Sequence, residues 1–414
     1  MLPSEREVRI VCVLMIGAAL ALQTASLIRG ARGGPLFGHE LGSDFACFYS
    51  AARILNEHSG ASLYDLKLQD RLYHAVIPYA DPARALPYAY PPFVAAAFRP
   101  LGYLPFAWAY AAWLAAGAGL YALGLYLICP PALPPRTRAT AVLVAASFSP
   151  FLFEAWGGGQ LTAIGFAALA AAIRLERSGR PFLAGCAAGI CLYKPTLLVI
   201  MLPLFAIARR WRMLAGVFAG AAALVAAGIA GAGLDAFRGY PAVAGLYRRL
   251  LAETPWVFQE DKFIDLNTFI RLLPGGNSVV GKGIFLLAAA GAFSLGAWLW
   301  ARYNACGPEG RAACWAAALP LTLLASVYAP IYDATLVVLS GFLIAGIVYT
   351  PEHARFAAAF EALTLVLYLA AIASQPLARV LHVQIVTIAL AAFAGFAAYL
   401  AFDQGSSACK PRNA

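Results

Sequence analysis

Along this chain apolar residues run together in long blocks instead of alternating with polar ones. Twelve blocks stand out, over 8–28, 104–129, 139–156, 161–174, 181–193, 195–208, 213–232, 283–301, 312–328, 331–349, 355–373 and 381–402. A membrane-crossing strand would alternate apolar and polar positions, whereas stretches such as 214–231 are apolar on every side. In hydrocarbon every backbone polar group has to be paired within the protein, so such blocks must be helices. The pattern therefore predicts an all-α polytopic membrane protein of about 10–13 transmembrane helices. A full crossing takes about 20 residues, and the blocks 161–174, 181–193 and 195–208 fall short of that. Those three are expected to cross tilted, or to stop part-way with their ends inside the protein.

Two polar stretches are too long to be simple connectors. They span 29–92 and 233–282, and are expected as two loops on one membrane face, roofing a site within a single integral-membrane domain over 1–414. Composition agrees with the blocks: 62% of residues are hydrophobic, 12% are charged, and mean hydropathy is +0.73. A soluble domain carries about 25% charged residues.

The net charge of +10 could suggest nucleic acid, but its distribution argues otherwise. Arg6, Arg9, Arg136, Arg138, Arg174, Arg177, Arg180, Arg209, Arg210, Arg212, Arg302, Arg311, Arg355, Lys410 and Arg412 fall at alternate ends of the blocks. The short connections at the other ends, 157–160, 329–330 and 374–380, hold Arg379 alone. Positive residues accumulate on the cytoplasmic side. Both termini are thus expected in the cytoplasm of a cell with the chain in its inner membrane, and both long loops in the periplasm. No nucleic-acid partner is expected.

The first block is longer than the apolar core of a signal peptide, and Arg29 and Arg32 stand where a cleavage site needs small neutral residues. An uncleaved first helix is expected. The eight cysteines include no CxxC pair and lie mostly inside the blocks, where they read as small core residues. The five histidines have no matching Ser or Cys nucleophile motif, and neither a metal cluster nor a cofactor motif is evident.

Candidate chemistry gathers at one face. Within the first loop, Asp44 opens a stretch in which Phe45, Phe48, Tyr49, Ala52 and Leu55 recur at helical spacing, with Arg53, Asn56 and Glu57 opposite. This spacing predicts an amphipathic helix lying in the interface, apolar face down. A first-turn Asp also complements the helix dipole without any catalytic role. Tyr88-Ala-Tyr90-Pro91-Pro92 closes the loop. Prolines fix an extended course there, and tyrosines suit the headgroup layer. Three short connections, Gly157-Gly158-Gly159-Gln160, Lys194-Pro195-Thr196 and Pro330-Ile-Tyr332-Asp333, place helix N-termini at that face. Such ends bind phosphate. An ionisable residue at membrane depth costs at least about 2.5–3.5 kcal/mol and is a functional candidate by default. Lys194 and Asp333 are the foremost cases, with Glu154 next; the structural alternative is that Lys194 and Asp333 pair with each other or snorkel.

Taken in order, the pieces Asp44-Phe45-x-x-Phe48-Tyr49-x-Ala51-Ala52-Arg53, Leu63-Tyr64-Asp65, Tyr90-Pro91-Pro92, Gly159-Gln160, Lys194-Pro195 and Tyr332-Asp333 resemble glycosyltransferase family 87. This is the mannosyltransferase-like branch of the GT-C superfamily. The resemblance implies a GT-C-like helical bundle. It also implies a polyprenyl-phosphate-linked sugar as donor, used on the periplasmic side, with a glycolipid or glycan as acceptor. It makes Asp44 central to catalysis. Relatives often carry a histidine before the Tyr-Asp pair, where this chain has Tyr328. A phenol with a pKa near 10 is a poor general base, which leaves Asp44 as the base.

The expected reaction is inverting transfer of a hexose, mannose favoured. Asp44 takes the acceptor proton and Asp333 orients the acceptor or the base. Lys194, Gln160, Tyr90, Tyr328, Tyr332 and Arg53 hold donor and phosphate. Without a metal motif or a nucleotide-sugar motif, the enzyme is expected to need neither a metal ion nor a cofactor. A transporter or flippase for a lipid-linked or anionic substrate is the rival reading. Transporters place charge at the midplane between internal repeats, and no repeat is evident between the two halves.

Overall fold

The computed structural model of the chain describes residues 3–30, 42–78, 87–253 and 259–408. Lys410 and Arg412 of the charge argument, Arg32, Cys409, and 31–41 and 79–86 of the first loop lie outside the described residues. Every predicted block is helical. Glu5–Gly30 (α1) leads into Ser43–Glu57 (α2), Leu66–Val76 (α3) and Pro92–Phe98 (α4), which build the first loop. Phe106–Ile128 (α5) and Pro135–Ala146 (α6) follow, the latter running into a π-helical segment, Pro150–Trp156. Next come Thr162–Arg177 (α7), Pro181–Gly189 (α8) with a 3₁₀ turn at Ile190–Tyr193, Thr196–Val199 (α9), Met201–Ile207 (α10) and Trp211–Ala232 (α11). Leu234–Glu253 (α12) and Leu266–Leu272 (α13) form the second loop. Val279–Ala301 (α14), Pro308–Leu324 (α15), a 3₁₀ turn at Ile331–Leu336 continuing into Val337–Val348 (α16), Ala357–Leu381 (α17) and Ile385–Ala408 (α18) complete the bundle.

Among the described residues, eight helices are long and apolar enough to cross a membrane, and two shorter apolar stretches cover 181–193 and 196–207. The chain is thus an all-α polytopic membrane protein. Four predicted blocks are shorter than a full crossing because the chain itself interrupts them. Pro195 follows the Ile190–Tyr193 turn, α9 stops after four residues, and α7 and α15 have 16 and 17. Among the described residues the one β-type contact is an isolated antiparallel bridge, Phe263 to Pro330.

Van der Waals fit and small residues, not water exclusion, bring helices together in lipid. The closest crossing here is α8 on α11. Gly185 and Gly189 face Gly216 and Gly220, so that a Cβ on any of the four would strike the backbone of the opposing helix. The most enclosed helices are α15 and α16, buried along nearly their whole length.

The helix α2 departs from expectation. Phe45 to Ala52, Ile54 and Leu55 are all buried, so the helix has hardly any open face. Its second side is covered by protein and not left open: α3, α4 and the Leu101–Tyr103 turn wrap it. Apolar residues mark its inner face at helical spacing, but the small residues on its other side, Ala46, Ser50 and Ala51, admit neighbours there too.

Candidate active site

The site forms where three chain interruptions meet the first loop. The π-helical turn at Pro150–Trp156 ends in three glycines; such turns are rare and recur at functional sites. Two side chains of α5, three residues apart on one face, fasten this strip. Trp113 Nε1 donates to Gly159 O at 2.9 Å, and the Tyr110 hydroxyl donates to Gly157 O. The glycines then let α2 approach end-on. Phe45 N donates to Gly158 O at 3.3 Å. A Cβ at Gly159, whose φ is +80°, would come within 2.6 Å of Phe45 Cβ, and one at Gly158 within 3.1 Å of Asp44 Oδ2. The triple glycine is therefore the seat of Asp44, whose side chain is part-exposed.

Lys194 and Asp333 meet across 139 residues of sequence, Nζ to Oδ2 at 2.5 Å. Both are buried, at 8% and 2% exposure. Lys194 lies in the extended break before α9, and Asp333 in the first turn after Pro330. The ammonium also faces the Tyr332 ring at 4.7 Å and the Tyr328 ring at 5.8 Å, a cation–π cradle. Tyr90 hydrogen-bonds the Tyr332 hydroxyl and donates to Gln160 Oε1 at 3.3 Å. Asp44 lies within electrostatic reach of Tyr90, Tyr247, Tyr328 and Tyr332, and Asp333 of Tyr90 and Tyr332. Two carboxylates thus bracket one tyrosine cluster.

The second loop closes over this cluster. The Tyr247 hydroxyl on α12 lies 2.9 Å from that of Tyr328. Burial pushes the Tyr247 phenol up to about 12, so it stays neutral and serves as a hydrogen-bonding group, not a base. Asp265, fully buried, caps α13 by accepting from Thr268 N at 2.8 Å and also accepts from Ala329 N at 3.1 Å. With Ile264 N on Ala329 O at 2.9 Å, it fastens the second loop to the turn that carries Tyr328. The two loops touch each other as well, with the Tyr64 and Tyr240 rings 6.0 Å apart, and within the first loop the Tyr64 hydroxyl donates to Tyr90 O at 2.7 Å.

Of the residues expected from sequence, Asp44, Tyr90, Gln160, Lys194, Tyr328, Tyr332 and Asp333 converge. Arg53 does not join them. Nine residues along α2 place it about half a turn round and roughly 13 Å along from Asp44, where it pairs with Glu57 at 2.5 Å. The expected phosphate site at the helix starting with Thr196 is weak, because that helix has four residues and sums little dipole. Glu154 accepts from Gln375 Nε2 at 2.7 Å. Sequence reasoning missed Tyr110, Trp113 and Tyr247, and it marks Asp265 only as one of the second loop's polar residues, with no role of its own. Nothing local marks the first two; Tyr247 lies in line with Tyr240 on α12 at helical spacing, and Asp265 shows the N-cap pattern.

One group among the described residues, Glu309, Glu352 and His353, has side chains close enough to share a cation. Glu309 stands at the start of α15 and Tyr328 just past its end, so the 17-residue helix separates that group from the site by roughly 25 Å.

No curated protein matches the chain, and no solved structure does. The sequence model of glycosyltransferase family 87 matches residues 88–327, more than half of the chain. That span contains Tyr90, Gln160, Lys194, Tyr247 and Asp265, while Asp44, Tyr328, Tyr332 and Asp333 flank it. With membrane-crossing helices interrupted around a buried ion pair, and with this match, the chain belongs to glycosyltransferase family 87.

Proposed function

We propose that this membrane glycosyltransferase moves a hexose, mannose favoured, from a polyprenyl-phosphate donor to a glycolipid or glycan acceptor. Transfer takes place at the periplasmic face of the inner membrane, with inversion. The observation that carries this reading is the gathering of Asp44, the Lys194–Asp333 pair and four tyrosines at one end of the interrupted helices. In direct displacement the acceptor oxygen bonds to the anomeric carbon, the bond to the phosphate oxygen breaks, and the acceptor proton goes to a base. Asp44 is that base: it is part-exposed, whereas Asp333 is buried at 2% exposure. The Lys194 ammonium, aimed by Asp333 and the two rings, meets the departing phosphate. This is charge placed in advance where charge develops. Tyr90, Tyr332 and Tyr328 present rings and hydroxyls to the sugar, and Gln160 presents its side-chain amide.

The test is transfer by purified protein in lipid, from a panel of polyprenyl-phosphate sugars to a membrane extract, beside Asp44→Asn. Transfer that collapses in the variant supports donor class and base together. Binding of the lipid without transfer by wild type would favour the flippase reading. Metal independence is part of the proposal, and activity lost to a chelator and restored by a divalent ion would sink that part.

A further inference from the structure

At the far end of α14, away from the site, two cysteines share one cavity. Its volume is about 290 Å³, and it is lined by Arg302, Cys306 and Cys314 among apolar side chains that include Trp298, Leu299 and Phe402. Cys306 ends the turn after α14, and Cys314 lies two turns into α15. Their sulfurs reach carbonyls of the same helix end: Cys306 Sγ lies 3.3 Å from Arg302 O, and Cys314 Sγ 3.8 Å from Leu299 O. Those carbonyls are three residues apart, about 4.5 Å along a helix, which brings the two thiols within hydrogen-bonding reach of each other. Two guanidinium groups attend them. Arg311 Nε donates to Cys306 O at 3.0 Å, and Arg302 lines the cavity with its guanidinium over the Trp298 ring at 4.0 Å.

Packing alone explains one buried cysteine in a helix bundle. It does not explain two thiols in contact beside two arginines, lining an open cavity. We propose that Cys306 and Cys314 form a peroxide-reactive dithiol site, with Cys306 as the attacking sulfur and Cys314 as the resolving one. The ligand class is a small hydroperoxide. Cys306 sulfur attacks the peroxide: an S–O bond forms, the O–O bond breaks, and the remaining oxygen leaves as water or an alcohol with the thiol proton. Cys314 sulfur then attacks Cys306 sulfur. The S–S bond forms, the S–O bond breaks, and the Cys314 proton leaves with water. Two thiols give up two electrons and the peroxide takes them. The charge bias assigns this end to the cytoplasm, where such a bond forms transiently and is reduced again.

The roles follow from surroundings. The Cys314 S–H, the Arg311 charge and the Arg302 charge together draw the Cys306 thiol below its usual value, and the thiolate is the reactive form. Exposure would rank the cysteines the other way, since Cys129 and Cys186 are the more open ones. The experiment treats the full-length protein in detergent with hydrogen peroxide and maps each cysteine by mass spectrometry with a sulfenic-acid trap and a thiol alkylator. In wild type, Cys306 and Cys314 lose alkylation together and regain it with reductant, through one peptide cross-link. In Cys314→Ser the trap labels Cys306; in Cys306→Ser, Cys314 stays reduced. Without peroxide at pH 7, Cys306 is alkylated roughly threefold or more faster than Cys129 and Cys186. If the two open cysteines react first, or if Cys314→Ser gives no trapped Cys306, the dithiol site is overturned. None of these readouts depends on sugar transfer, so failure here and failure of the proposed function are separate results.

Discussion

Among the described residues two ion pairs hold opposite ends of this bundle, alike in their contact and different in what surrounds them. Lys194–Asp333 and Arg210–Glu176 are both 2.5 Å contacts, each with an acid side chain 2% exposed and a tyrosine ring near the cation. Around Arg210 the chain is drawn tight. Arg210 N donates to Phe205 O at 2.8 Å, Asn304 Nδ2 donates to Ala208 O at 2.7 Å, and the Tyr303 ring lies beside the guanidinium. Around Lys194 the neighbours come from different parts of the chain, and their hydroxyls face one another, with a further carboxylate, Asp44, in reach. A buried ion pair is thus weak evidence of function by itself. What surrounds it separates a fastening from a site.

The largest effect that would test this contrast is on activity. Asp44→Asn should lower sugar transfer by about 10²–10⁴-fold, the range for loss of a general base, measured as initial rate in lipid. Glu176→Gln, at the fastening end, should leave the rate per folded molecule unchanged. Equal losses in both variants would remove the distinction between the ends.

Next comes stability. Removing one partner of a buried pair leaves an uncompensated charge and costs about 3–5 kcal/mol, while replacing both by apolar residues is often neutral. Lys194→Met and Arg210→Met should each lower the thermal midpoint in detergent. The doubles Lys194→Met/Asp333→Leu and Arg210→Met/Glu176→Leu should each recover most of it. Only the second double should keep sugar transfer per folded molecule. If the first also transfers sugar, Lys194 is a fastening and the phosphate is held elsewhere.

The same contrast explains what the sequence made legible. Membrane helices were plain because lipid forces apolar residues into long blocks, and all twelve blocks are helical. Lys194 and Asp333 were found because a charge next to a helix break is rare in an apolar chain. That they pair was open, since 139 residues separate them and no spacing rule links such positions. α2 was misread as having one open side because periodicity reports which side is apolar; it does not report whether the small residues opposite will also be covered. Tyr110 and Trp113 were invisible: their role is to bond carbonyls of glycines, and backbone acceptors leave no mark in side-chain pattern.

Glycine positions give the third test. Gly159→Ala puts a Cβ at φ +80°, 2.6 Å from Phe45 Cβ, where an L-residue carries a backbone penalty of about 1–2 kcal/mol before the clash. The α2 end has to retreat, taking Asp44 with it. Transfer should fall by more than the loss of folded protein accounts for. Gly216→Ala, at the α8–α11 crossing, should cost stability with transfer per folded molecule kept. Both are read by pairing the thermal midpoint with the rate.

The smallest expected effect is a pH dependence carried by the clip on the second loop. That clip is an ionisable group, Asp265, whereas the tie from Asn304 to Ala208 O at the opposite end, beside the Arg210–Glu176 pair, is an amide. Burial pushes the Asp265 carboxyl up from 3.8 to about 6, against the pull of its Thr268 and Ala329 donors. Between those values the unfolded chain has released the proton while the folded one still holds it. The folded state therefore binds more protons, and this group's contribution to stability falls as pH rises from about 4 to about 6, then levels off. In Asp265→Asn the side chain can still accept from Ala329 N but cannot titrate. The thermal midpoint of wild type, followed across that window, should drop relative to Asp265→Asn as pH rises, while Asn304→Ala should run parallel to wild type at a lower level. A wild-type curve parallel to that of Asp265→Asn would mean that the Thr268 and Ala329 donors outweigh burial and keep the carboxylate ionised throughout. The clip on the Tyr328 turn would then be a fixed charge-assisted one, no different in kind from the fastening at the other end.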